Sequence, residues 1–195
     1  MSTVDIYWLP LGAGGSSVVR FSGRVFEGIR ARRAGRAPLD IYHAALEVTV
    51  PEGRSVIELT PVPSAGSPDR GAVAEGCVGS SLAGRIRVFR YELRCWREGS
   101  IPDAEWAVDS PRRISEDPAA ARALLERVPR VPMAVWGRDE MGAGEMWTSN
   151  SVISWLLVVA GIPVVQAGPP AGGTAPGWQA GITVADLHRD LPMSV

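Results

Sequence analysis

The hydrophobic pattern changes period along this chain, and the changes mark its elements. In "DIYHAALEVTVPEGRSVIELTPV", residues 40–62, Tyr42, Ala44, Leu46 and Val48 alternate with His43, Ala45, Glu47 and Thr49. A period of two belongs to a strand with one buried face. "PEGR" then turns the chain and residues 55–60 return, so the segment predicts a β-hairpin with His43 in mid-strand. Residues 4–11 and 17–21 predict two more strands joined by "GAGGS". That glycine run suits a turn with positive φ, and no helix-opening G-x-G-x-x-G of a phosphate loop follows it. "FEGIRARRAGR", residues 26–36, crowds four arginines onto a short helix or irregular turn and reads as a solvated face. "RIRVFRYELRCW", residues 85–96, alternates with both faces mixed and predicts a third central strand with one partly exposed side.

Elsewhere the period lengthens to that of a helix. Asp117 and Pro118 supply an N-cap and a first-position proline, and Leu124, Leu125 and Val128 form an apolar stripe up to Pro129. From about Asn150, "NSVISWLLVVAG" leaves almost no polar face before Gly161 and Pro163 end it. A helix apolar all round belongs in the middle of a core. "GPPAGGTAPGW", residues 168–178, has the composition of a loop that closes over something, and residues 182–187 predict a short final strand or turn of helix. No internal repeat and no second core are visible. The expected architecture is one α+β domain over residues 1–195, an antiparallel sheet packed against a buried helix.

Composition narrows the chemistry. Twenty basic and twenty-one acidic residues give a formal charge of −1, so no positive excess points to nucleic acid. Every basic residue is arginine, which excludes Schiff-base chemistry, a Walker-type phosphate loop and a Ser-Lys dyad. Cys77 and Cys95 stand apart rather than in C-x-x-C pairs, against a zinc site and a disulfide scaffold. No motif implies a cofactor. The longest apolar run, residues 152–160, is too short to span a bilayer, and no signal-peptide pattern opens the chain. The expectation is a cytoplasmic protein.

Covalent cleavage of an amide or ester needs a nucleophile, a base and an oxyanion site. Of the two histidines, His188 lies in "DLHRD" near the end of the chain, where exposure is the default, and His43 lies in the strand. Ser151 falls in the first turn of the apolar helix, where free N–H groups stabilise negative charge. Thr148, Ser149 and Asn150 just before it are also what an N-cap requires.

A histidine strand, "YHAALEV", followed about a hundred residues later by Asn150-Ser151 opening an apolar helix, resembles the circularly permuted papain-like superfamily. That superfamily includes permuted NlpC/P60 peptidases, lecithin retinol acyltransferase-like proteins and PPPDE peptidases, in which the helix opens with Asn-Cys. Serine stands here in the cysteine position, and a hydroxyl needs a better-oriented base than a thiol. The resemblance implies a hydrolase or acyltransferase acting on a peptide, lipid or small-molecule amide or ester. Ser151 would be nucleophile, His43 general base and Glu58, on the return strand, the residue that orients the imidazole, with Glu47 as the competitor under a register slip. Asn150, Trp147, Trp136 and Asp139 would border the substrate, the last three in or beside "WGRDEMGAGEMW", whose acids lack the alternating spacing of a calcium loop. The alternative is an inactive relative that binds a peptide, lipid or protein partner in the same groove.

Overall fold

The computed structural model describes residues 1–12, 31, 32, 35, 37–62 and 71–190, with the side chains of 188–190 excepted. The strand expected at 17–21, most of the arginine-rich segment 26–36, most of the loop after residue 61 and the His188 side chain lie outside the described residues.

Six strands, β1 (Thr3–Pro10), β2 (Asp40–Val50), β3 (Gly53–Pro61), β4 (Ala72–Cys77), β5 (Arg90–Arg97) and β6 (Val108–Ser115), form an antiparallel sheet in the order β4-β5-β3-β2-β1-β6. A two-residue strand, β7 (Gly173–Thr174), runs parallel to the start of β2 at Asp40 and Ile41. Three α-helices follow in the second half: α1 (Pro118–Arg127), α2 (Ser149–Val159) and α3 (Trp178–Asp190). The chain is therefore α+β, with its largest helix-covered core on one sheet face. Among the described residues, no helix is long and apolar enough to cross a membrane.

The expected hairpin forms, with Val50 opposite Gly53 and Leu46 opposite Ile57. Its alternation sorts the side chains. Tyr42, Ala44, Leu46, Val48, Ile57 and Leu59 join Trp8, Tyr91 and Leu93 in the main core beneath the helices. Leu9, Ala45, Val56 and Ile101 form a smaller cluster on the opposite face.

Helix α2 is buried at every position from Ser149 to Val158 and lies against β2, β3, α1 and α3. Its six apolar side chains from Val152 to Val158 contribute on the order of 10 kcal/mol by removal from water. It ends in a Schellman arrangement. Gly161 takes φ +76, its N–H donates to Val158 O, and the N–H of Ile162 donates to Leu157 O. For α1, Asp117 Oδ1 accepts from the N–H of Ala119 at 2.8 Å, with Pro118 at the first position.

Three segments differ from the expected elements. Of residues 85–96, only those from Arg90 onward are strand. Ala83–Arg85 and Arg87–Phe89 are instead two 3-10 turns. Gly84 seats directly on Cys77, where a Cβ would come within 2.1 Å of Sγ, and Arg90 Nε donates to Gly84 O, so the segment curls back onto β4. Strands β4 and β6, both at sheet edges, carry short and charged sequences ("AVAEGC", "VDSPRRIS") with no hydrophobic alternation to mark them. Residues 182–187 belong to α3, whose buried residues Ala180, Val184 and Ala185 follow a helical spacing.

Candidate functional site

The opening of α2 is a closed hydrogen-bond knot. Thr148 Oγ1 accepts from the N–H of Asn150 at 3.1 Å, and Ser151 Oγ accepts from the N–H of Thr148 at 2.9 Å, the reciprocal exchange of a capping box. Ser151 Oγ donates in turn to Gly177 O at 2.8 Å, with Met146 O farther away at 3.5 Å. Thr148 Oγ1 donates to Pro176 O at 2.7 Å, and Ser154 Oγ to Trp178 O at 2.7 Å. Three hydroxyls thus hold the segment that enters α3, which is the segment whose composition marks a covering loop. Gly177 has φ +82, and a Cβ there would meet Thr148 Oγ1 at 2.5 Å and Ser151 Oγ at 2.6 Å. Ser149 is the one hydroxyl of the cap that makes no hydrogen bond among the described residues, and it too is buried.

Asn150 completes the knot on the sheet side. Its Oδ1 accepts from the N–H of Ala44 at 2.9 Å, while its Nδ2 donates to Tyr42 O at 3.1 Å and to Pro176 O at 3.0 Å. The β2–β3 ladder stops at Leu46 and Ile57, so residues 42 and 44 have no β3 partner. The carboxamide takes the place of a peptide group there. Both amide hydrogens are used, which fits a structural role better than contact with a substrate.

His43 sits between Tyr42 and Ala44 in β2, opposite Leu9 of β1. Its side chain therefore lies on the face of Leu9 and Ala45, whereas α2 covers the face of Tyr42 and Ala44. The sheet separates His43 from Ser151, and the two do not form a dyad. Glu58 is on the His43 face but is engaged elsewhere: it lies across from Arg94 in the β3–β5 ladder, with Arg94 Nη1 3.4 Å from Glu58 Oε1, and Arg94 also donates to Glu92. All three are buried, and the guanidinium supplies the charge that lets the two carboxylates stay there. Glu47 pairs with Arg54 at 2.7 Å.

Desolvation lowers the pKa of His43 from 6.5 to about 4, opposed by the negative charge of Asp103. The imidazole is neutral in the folded chain near neutrality. Below the unfolded value of 6.5 the unfolded state takes up a proton that the folded state refuses, so stability falls as pH drops from 6.5 towards 4 and is level above that window. The ring is partly exposed, which trims the effect. Between pH 7 and pH 4.5 the expected loss attributable to His43 is about 2 kcal/mol. Urea midpoints of wild type and His43→Gln across that range measure it, and parallel pH profiles for the two would contradict it.

The loop between Gly137 and Trp147 is tied at its base by N–H of Gly137 to Trp147 O and N–H of Trp147 to Arg138 O. Its acids accept hydrogen bonds from the backbone. Asp139 accepts from the N–H groups of Ala143 and Gly144, Glu140 from that of Val135, and Glu145 from that of Gly177. Trp147 is in the main core, and Trp136 packs edge-on against Tyr91 with ring centroids 5.5 Å apart. Among the described residues, no cluster of His, Cys, Asp and Glu could hold a metal ion.

The residues that sequence reasoning passed over are Gly177, Gly181, Ser154 and the Arg94–Glu92 pair. The signal nearest to them was "GPPAGGTAPGW", which contains Gly177 and reads as a loop that closes over something. Compared with protein-family models, curated proteins and solved structures, the chain gives no match.

Proposed function

We propose that this chain is a non-catalytic binding module built on the scaffold that the permuted papain-like resemblance suggests. The observation that carries the reading is the spent hydroxyl of Ser151. Its single proton goes to Gly177 O, one of its lone pairs takes the N–H of Thr148, and the histidine strand presents His43 to the far side of the sheet. A serine nucleophile needs a base within hydrogen-bond reach. The order of the His43 strand before the Asn150-Ser151 helix supports the family scaffold, and the knot supports a relative in which the cap has become structural.

Ser151→Ala is expected to cost about 2 kcal/mol in a urea titration, because the buried N–H of Thr148 and carbonyl of Gly177 both lose a partner. In the same preparations, a panel of activated acyl esters and peptides is expected to give no turnover above buffer for wild type, Ser149→Ala, Ser151→Ala or His43→Ala. Wild-type turnover removed by Ser151→Ala or by Ser149→Ala would overturn the reading and restore a serine hydrolase.

A further inference from the structure

We draw no further inference here: the strongest candidate, the run of exposed apolar side chains Leu82, Ile86, Val88 and Phe89 on the connection between β4 and β5, is a surface for which nothing among the described residues shows a single shared face or what covers it.

Discussion

Asn150→Asp is expected to lower stability by about 4 kcal/mol at pH 7. The two side chains have the same shape, so packing is unchanged. The carboxylate still accepts from the N–H of Ala44, but it cannot donate to Tyr42 O or Pro176 O, and it places a buried negative charge beside two carbonyl oxygens. For a chain of this length the shift in thermal midpoint is roughly 10 °C. The pH dependence has a definite sign. Burial and the two carbonyls raise the pKa of the new carboxyl in the folded state, so its penalty is full well above that value and shrinks as the group is protonated and recovers one donor. The gap between variant and wild type, measured in urea at each pH, should therefore narrow from pH 7 towards pH 5. A gap below about 1 kcal/mol at pH 7, or one independent of pH, would refute the role given to the carboxamide.

Gly181→Ala is expected to destabilise by about 3 kcal/mol, against the sign that helix propensity alone would give. Inside α3, alanine gains about 1 kcal/mol over glycine. A Cβ at this position would, however, lie 2.0 Å from the carbonyl oxygen of Ser151 and 2.1 Å from Ser154 Oγ. The first of these is backbone of α2 and has no rotamer to turn away, so the helices must separate and the Ser154 Oγ to Trp178 O bond must stretch. Overpacking of this kind costs a few kcal/mol. Thermal melts of wild type and variant decide it: a raised midpoint would mean that α2 and α3 do not approach this closely.

The hairpin of β2 and β3 is legible because an alternating arm, a "PEGR" turn and a returning apolar segment follow one another, and α2 is legible because an apolar run between a cluster of capping residues and a glycine has only one place to go. The separation of His43 from Ser151 could also have been read. The helix must cover the apolar set Tyr42, Ala44, Leu46 and Val48, so a residue at an odd position of that strand faces away from it. Family spacing drew the two residues together along the chain; strand alternation keeps them apart in space. Other features had no local signal. Residues 85–89 alternate as a strand would, yet contacts with Gly84, Cys77 and Arg90 bend them into turns. The closeness of α2 and α3 at Gly181 depends on two segments thirty residues apart, and nothing in either one announces it.

The gap above Leu46, where β3 leaves β2, has one more consequence. An open row of N–H and C=O groups inside a sheet is a template on which a foreign strand can add, the first step of edge-to-edge aggregation. Residues 40–48 combine β-branched, aromatic and small apolar side chains with few charges, the composition that such addition favours. Asn150 occupies the row at Tyr42 and Ala44, and β7 occupies it at Asp40 and Ile41. One carboxamide in the first turn of a helix and a two-residue strand, both from the second half of the chain, thereby guard an adhesive stretch of its backbone.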